Sequence, residues 1–407
     1  MTRSTTKSFR LTALLVTLVA FGPMSVDIYL PALPEMVRVF GTDVSSAQLT
    51  LSVFAGTVGL AQLIYGPLSD RFGRRPVLLG AVALYTLGSL LCLTAQSIDM
   101  LIGLRVIQAL GACVGPVVAR AIVRDLFVRE HAARMMAVLA AVVSIAPAVA
   151  PILGGWLLAF GWRADFVVMV LFGIGVLAAS WIILGETNKN PDPHALRPWR
   201  MIEVARSLVR DPIFLGNTLS VGFVFVSLFS FISLASFELI DVLHVPAEHF
   251  GYFFAVTVAA FMIGSTTSAR LAHRYPIERT IRIGTAIGVT CAGIMLILAL
   301  FGEQTVWAVI APVTGISLAV GLVLPNSSAM ALSGHARVAG SASALLGAVQ
   351  MSFGAFAGWV AGQVFDGTTL PLAAFMAGGW FVTGLIQVAM WRLARRTPPP
   401  AAGSAAA

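Results

Sequence analysis

Twelve long apolar runs dominate this chain of 407 residues. Each run is long enough to cross about 30 Å of hydrocarbon as a helix that rises about 1.5 Å per residue. Hydrophobic residues make up 58% of the sequence and charged residues only 11%, too little charge to cover a water-soluble protein of this size. We therefore predict an all-α integral membrane protein with twelve transmembrane helices. The first run, 11–33, follows three basic residues but lacks a small-residue cleavage site, so we interpret it as a retained helix.

The sequence repeats itself at a constant offset. The segment that begins Leu68-Ser-Asp-Arg matches the one that begins Leu271-Ala-His-Arg, and 271 − 68 = 203. The pair Gly155-Trp156 matches Gly358-Trp359, and 359 − 156 is again 203. A shared offset close to half the length predicts two pseudo-symmetric six-helix bundles with a substrate site between them. The predicted division is a first bundle over 1–184, a linker over 185–212, a second bundle over 213–392 and a disordered tail over 393–407.

Basic residues indicate the orientation of the helices. If the N-terminus is cytoplasmic, 23 of the 26 lysines and arginines fall in cytoplasmic segments. This bias predicts that both termini are cytoplasmic. The net charge of +8 is spread over many short loops, so we interpret it as a topology signal and expect no nucleic-acid partner.

The linker combines two kinds of sequence. It begins with a polar stretch, 185–193, that we expect to be flexible. It then has an amphipathic pattern, in which Met201, Val204, Ala205 and Leu208 share one helical face. We expect this helix to lie on the cytoplasmic headgroup surface as an anchor, and a partner-binding helix is the alternative.

Two charged residues fall well inside the predicted helices. Asp27 lies six residues before the end of the first run, and Arg105 lies five residues after the start of the fourth. Both would then lie about 8–9 Å below the outer surface, at the equal depth that a pair or a shared aqueous cavity requires. Asp27 could exchange protons there, and a static ion pair that joins two helices is the alternative.

Two further segments are candidates for moving parts. In the loop after the second helix, Gly66 and Gly73 would allow tight turns, and Asp70 could form a latch with the neighbouring arginines. In the fifth helix, prolines would bend the chain and glycines would permit close packing, which suits a hinge or seal. These residues are Pro147, Pro151, Gly154 and Gly155.

The sequence contains no motif for ATP hydrolysis and no metal-ligand spacing among its six histidines. We therefore expect no enzyme activity, no metal and no cofactor other than an ion gradient. The three cysteines lie inside apolar runs, where buried side chains are expected. Asn217 and Gln350 are polar enough to line a substrate path.

Four segments in order resemble the major facilitator superfamily. The loop after the second helix resembles its signature between helices 2 and 3, with Gly66, Asp70, Arg71, Gly73, Arg74 and Arg75 in place. Helix 4 resembles the second motif through Leu104, Arg105 and Gln108, with Ala109 where glycine is usual. Helix 5 resembles the antiporter motif, although Ala146-Pro147 and Ala150-Pro151 replace the usual Gly-Pro pairs. The helix 1 segment resembles the bicyclomycin/chloramphenicol-resistance (Bcr/CflA) branch through Asp27, Tyr29, Pro31 and Pro34.

This resemblance implies proton-driven export of amphipathic drugs, by alternating access, from a monomer in the bacterial inner membrane. Asp27 would be the protonatable and substrate-sensing group, with Tyr29, Arg105 and Gln108 around it. Asp70 and its arginines would latch one conformation, and helix 5 would seal the two halves. The fold alone leaves two alternatives open: an importer of a small metabolite, and a membrane scaffold or signalling protein.

Overall fold

The computed structural model describes residues 2–127, 129–335 and 338–396, and every regular element within these ranges is a helix. Twelve helices are long and apolar enough to cross a membrane, as the sequence predicts. We number them α1 to α12. Their spans are Phe9–Phe40, Val44–Phe72, Arg74–Cys92, Ile98–Leu126, Arg134–Phe160, Arg163–Ile183, Pro212–Val242, Ala247–Leu271, Ile277–Leu300, Val306–Ser333, Ala339–Gln363 and Leu370–Leu393.

The first span is a broken helix. A helical segment Phe21–Asp27 is followed by a 3₁₀ turn at Leu30–Ala32 and by a further segment, Leu33–Phe40. The break follows from Pro31, which has no N–H to donate to the carbonyl of Asp27. The predicted end near residue 33 is therefore wrong, because the prolines bend this span without ending it. Asp27 lies thirteen residues from the end of the span, since 40 − 27 = 13.

Two other boundaries also differ from the predictions. α2 continues as a helix through Gly66 and Pro67 to Phe72, so Gly66 makes no turn. Gly73 alone makes the turn into α3, with a φ of 97° that favours glycine. The second boundary is the end of α7, which continues beyond the predicted residue 236 through a π-helical turn, Phe237–Val242.

The linker joins α6 to α7, and we call the side of the protein on which it lies the linker face. On the other side, the opposite face, the helices of the two halves meet closely. Ser45 of α2 accepts a hydrogen bond from Gln363 of α11. Arg38 forms an ion pair with Asp241 at a distance of 3.0 Å between Nη2 and Oδ1. These two residues are 203 positions apart, so the contact joins equivalent points of the repeat.

Toward the linker face the halves separate. α2 and α11 stay in contact as far as Gln62 and Gly347. Beyond that point a cavity of about 370 Å³, the linker-face cavity, lies between the ends of α2 and α4, the linker and the start of α11. The helices of the two halves therefore meet at the opposite face, and a cavity lies between them near the linker face.

The linker is more closely bound to the protein than its sequence predicts. Its first part is not a free segment, because Asn188 donates a hydrogen bond to the carbonyl of Asp70. Its helix, Pro198–Arg210, packs Leu208 and Val204 against a small core that contains Phe214 of α7 and Leu346 of α11. The apolar face that we assigned to lipid headgroups thus lies against protein.

The last helix continues to Arg396, so the first four residues of the predicted tail are helical. Of these four residues, only Leu393 belongs to the span that could cross the membrane. The rest of the predicted tail, 397–407, lies outside the described residues.

Candidate functional site

A central cavity of about 320 Å³ lies between the two halves. Its walls come from α1, α2 and α5 of the first half and from α7, α8, α10 and α11 of the second. Six phenylalanines dominate the surface: Phe54, Phe225, Phe229, Phe231, Phe254 and Phe261. The polar lining is sparse and consists of Asp27, Ser144, Thr257, Ser317 and Gln350. Asp27 is the only lining residue in the described part of the chain that carries an ionisable side chain.

The break in α1 positions Asp27. The residue ends the helical segment Phe21–Asp27, and its side chain is only 4% exposed although it borders the cavity. No hydrogen bond or ion pair joins this carboxyl group to another described residue. A carboxylate without a partner in such surroundings is costly, so the site favours either a proton or a ligand on Asp27.

Arg105 does not pair with Asp27, contrary to one of the predicted arrangements. Its guanidinium donates to the backbone carbonyl of Ser25 at 3.0 Å and to Oε1 of Gln108 at 2.5 Å. The same group lies 4.2 Å from the ring centre of Phe54 and 4.4 Å from that of Tyr29. Cation–π contacts of this kind stabilise a buried cation. Arg105 therefore lies near the level of Asp27 but does not line the cavity, whereas Phe54, on which its guanidinium packs, does.

A polar network behind the cavity wall holds α1 in place. Gln108 donates from Nε2 to Ser89 at 2.8 Å, and the hydroxyls of Tyr29 and Thr50 lie 2.9 Å apart. Ser25 donates to the hydroxyl oxygen of Tyr85 at 3.0 Å. Gln108 and Tyr29 are thus part of this network and do not line the cavity.

α5 is packed tightly against both halves. Gly154 lies so close to α1 that a Cβ atom there would be 1.6 Å from the carbonyl oxygen of Ile28. A Cβ atom at Gly155 would be 2.8 Å from the carbonyl oxygen of Ala247 in α8. Pro151, one turn before Gly154, is buried, and Pro147, two turns before it, borders the cavity. The predicted close packing of this helix is therefore present, and it occurs next to Asp27.

The two polar candidates from the second half differ. Gln350 lines the cavity. Asn217 does not line the cavity. Its amide donates to the carbonyl of Ile213 in its own helix. Aromatic residues on these helices could be expected from sequence to face the substrate path, but no individual phenylalanine could be assigned to it. Phe225 and Phe229 are spaced i and i+4 on one face of α7.

At the linker face, the predicted latch lies within the first half. Nη1 of Arg74 is 2.6 Å from Oδ1 of Asp70, and its Nε is 3.1 Å from Oδ2 of Asp125. Arg71 instead lies over the ring of Phe72, and Arg75 donates to the carbonyl of Trp181. Asp70 and Arg74 border the linker-face cavity, opposite the first residues of α11.

Glu186, which the sequence analysis placed in a flexible stretch, caps the start of α3. Its carboxylate accepts from the backbone N–H groups of Arg74 and Arg75 at 2.9 and 3.2 Å. It also accepts from the N–H groups of Thr187 and Asn188. Partial burial acts to raise the pKa of Glu186, but these N–H donors outweigh it and hold the pKa below its ordinary value.

We expect Glu186→Gln to lower the free energy of unfolding by about 1 kcal/mol at neutral pH, since solvent screens this exposed carboxylate. Because the folded-state pKa is depressed, the contribution is complete above about pH 5 and disappears as pH falls through that pKa. Unfolding in detergent at several pH values would measure it. The matched control is Glu303→Gln, an exposed position in the turn after α9. If Glu186→Gln lowered the free energy of unfolding as much at low pH as at neutral pH, this capping role would be contradicted.

The described residues contain more buried charge than the two groups expected from sequence. Asp165 at the start of α6 is 1% exposed, and Glu238 in the π-helical turn of α7 is fully buried. Among the residues that the structure describes, no group of three or more His, Cys, Asp or Glu side chains could hold a metal ion.

Comparisons with known proteins agree with this architecture. Residues 14–359 match the Major Facilitator Superfamily. The chain is 30% identical to a bicyclomycin resistance protein homolog of Haemophilus influenzae, over 86% of this chain and 88% of that protein. It is 33% identical to a chloramphenicol resistance protein of Pseudomonas aeruginosa, over 79% and 76% of the two chains. For multidrug resistance protein D of Escherichia coli, the identity is 28% over 84% and 86%.

A solved structure has the same fold. A bacterial homolog of the human lysosomal transporter Spinster, in an inward-facing conformation, superposes with a TM-score of 0.69 at 19% identity. That likeness covers 96% of this chain and 97% of the other. The protein is a non-enzymatic, multi-pass transporter of a bacterial inner membrane. It belongs to the Major Facilitator Superfamily, in the branch of its bicyclomycin- and chloramphenicol-resistance relatives.

Proposed function

We propose that this protein is a proton-coupled exporter of amphipathic drugs. The observation that carries the proposal is the composition of the central cavity, where a single carboxyl group, Asp27, lies in a wall built largely of phenylalanine. Such a wall suits ligands with aromatic or aliphatic surface and few polar groups. The resistance named for its relatives supports the same class of substrate.

In the proposed cycle, a proton and the drug compete for binding at Asp27. A charged Asp27 bordering an apolar cavity is unfavourable unless a polar part of the drug lies against it, and protonation removes that cost. Drug binding and proton binding therefore oppose each other at one side chain. Arg105 contributes by fixing α1 through the Ser25 carbonyl, two residues before Asp27.

We propose that the linker face is cytoplasmic, because 23 of 26 basic residues then lie inside. The structure would then be the state that loads drug from the cytoplasm. Export requires the opposite face to open, which breaks the Arg38–Asp241 pair and separates Gly155 from Ala247. The protein would work as a monomer, with the proton gradient as its energy source.

The main alternative is a proton-coupled importer on the same fold. The direction of coupling distinguishes the two, since an antiporter accumulates drug in vesicles with an acidic lumen and a symporter requires acid outside. We expect radiolabelled chloramphenicol to accumulate in proteoliposomes only with an acidic lumen and to leave after a protonophore is added. Protein-free liposomes are the control. Accumulation with acid outside would establish symport and refute the proposal.

A further inference from the structure

A second buried carboxyl group lies at the opposite face, away from the central cavity. Asp165 is in the first turn of α6, its side chain is 1% exposed, and neither of its oxygens has a hydrogen-bond partner among the described residues. Glu35 of α1 is its neighbour. Oε1 of Glu35 lies beside Gly161, and its Oε2 is likewise buried without a partner. The two carboxyl groups are close enough to repel each other when both are charged.

Within the described ranges, no cation forms an ion pair with either carboxyl group. The elements packed on the start of α6 are the end of α1, the turn after α3 and the end of α5, and their nearby cations are Arg38 and Arg163. Arg38 is within electrostatic reach of Glu35, but its guanidinium pairs with Asp241. Arg163 donates to the carbonyls of Leu93 and Ala95 and lies over the ring of Trp162.

Glu35 is half-buried and accepts a hydrogen bond from the backbone N–H of Trp162, whereas Asp165 is buried with neither oxygen partnered by a described residue. Burial without a paired cation, next to a second carboxyl group, makes the charged form of Asp165 costly. The dipole at the start of α6 favours a charged Asp165, but it is far weaker than the desolvation cost of an unpaired carboxylate. Glu238, 203 residues after Glu35 in the repeat, accepts a hydrogen bond from Thr369 with one carboxyl oxygen, and its other oxygen is buried without a partner among the described residues. The residue 203 positions after Asp165 is Thr368, so the second half has no carboxyl group equivalent to Asp165.

We propose that Asp165, with Glu35 as its half-buried neighbour, is a second proton-binding site, and that closing the opposite face requires a proton there. Opening that face wets the pair and allows both groups to ionise. It also releases Arg38 from Asp241, and Arg38 is then free to face Glu35. The proton is taken from water on the opposite side and returns there on opening. This site is separate from the exchange at Asp27 and does not depend on substrate or on the direction of transport.

The test is a measurement of opposite-face closure against pH without drug. Spin labels would be attached at Gln96→Cys and Gln304→Cys, which are exposed positions in the turns after α3 and α9. One linked proton changes the closed-to-open ratio by up to about tenfold per pH unit, with closure favoured at lower pH. We expect Asp165→Asn, which mimics the protonated acid, to remove this dependence. Asp27→Asn and the exposed control Asp99→Asn should retain it.

The proposal is wrong if Asp165→Asn keeps the wild-type dependence on pH. Infrared difference spectra provide a second measurement, because the protonated-carboxyl C=O band that titrates in wild type should be missing from Asp165→Asn. If that variant does not insert, Glu35→Gln should change the pH range of closure, and an unchanged range would overturn the proposal. Failure of drug–proton exchange in wild type would refute the proposed function alone, since neither measurement uses drug.

Discussion

Asp27→Asn is expected to reduce proton-driven drug export to the level of protein-free vesicles while leaving the protein folded and inserted. Asparagine matches aspartate in size but cannot bind or release a proton in the working range. Since Asp27 is the only ionisable residue in the described wall of the central cavity, no other lining group can replace it. The measurement is chloramphenicol accumulation in proteoliposomes with an acidic lumen.

Two comparisons make this result specific. Asp27→Glu keeps a carboxyl group at the break in α1 and should retain part of the proton-coupled flux. Drug binding by Asp27→Asn in detergent should persist, because the phenylalanine wall is unchanged. Full coupled export by Asp27→Asn would defeat the assignment of Asp27.

Gly154→Ala is expected to cause the largest loss of stability among single substitutions at the site. The new Cβ would lie 1.6 Å from the carbonyl oxygen of Ile28, whereas a carbon–oxygen contact needs about 3.3 Å. The Cβ would be fixed to the backbone of α5 and would meet the backbone of Ile28 in the break of α1, so no flexible side chain can move away. We expect the free energy of unfolding to fall by about 3 kcal/mol and transport to be lost. Thermal unfolding in detergent would measure the change.

Two other glycines provide controls for this prediction. Gly175 in α6 has open space around its Cβ position, so Gly175→Ala should be neutral or slightly stabilising. Gly155 contacts α8 of the other half, so Gly155→Ala should leave the first half intact and shift the protein toward an open opposite face. Equal unfolding temperatures for Gly154→Ala and Gly175→Ala would contradict the close α1–α5 contact.

The number of spans could be predicted from sequence because it depends only on apolar length, which lipid imposes directly. The ends of the spans could not be predicted from sequence. Proline is interpreted as the end of a helix, although a helix also accepts proline in the first turn of a new segment. α1 illustrates this difference, since Pro31 and Pro34 predict its end near residue 33 but the span continues to Phe40. The glycine turn at Gly73 was predicted correctly, because a positive φ strongly selects that residue.

The site was only partly predictable for a different reason. Charge inside an apolar run marks Asp27 and Arg105 as unusual, but their contacts depend on which way each side chain points. The Arg105 side chain points into its own bundle, where its guanidinium packs on aromatic rings and donates to the Ser25 carbonyl. Asp165 and Glu186 were missed because they lie at the ends of runs, where a charge is ordinary in sequence and only packing shows its burial or its partners.

The most direct test of the central claim is proton release on drug binding. Purified protein in weakly buffered detergent, with a pH-sensitive dye, would be mixed with chloramphenicol at several pH values. We predict that wild type and Asp165→Asn release protons as drug binds, and that Asp27→Asn binds drug without release. Drug binding to wild type with no proton release at any pH at which the protein is folded would contradict the account.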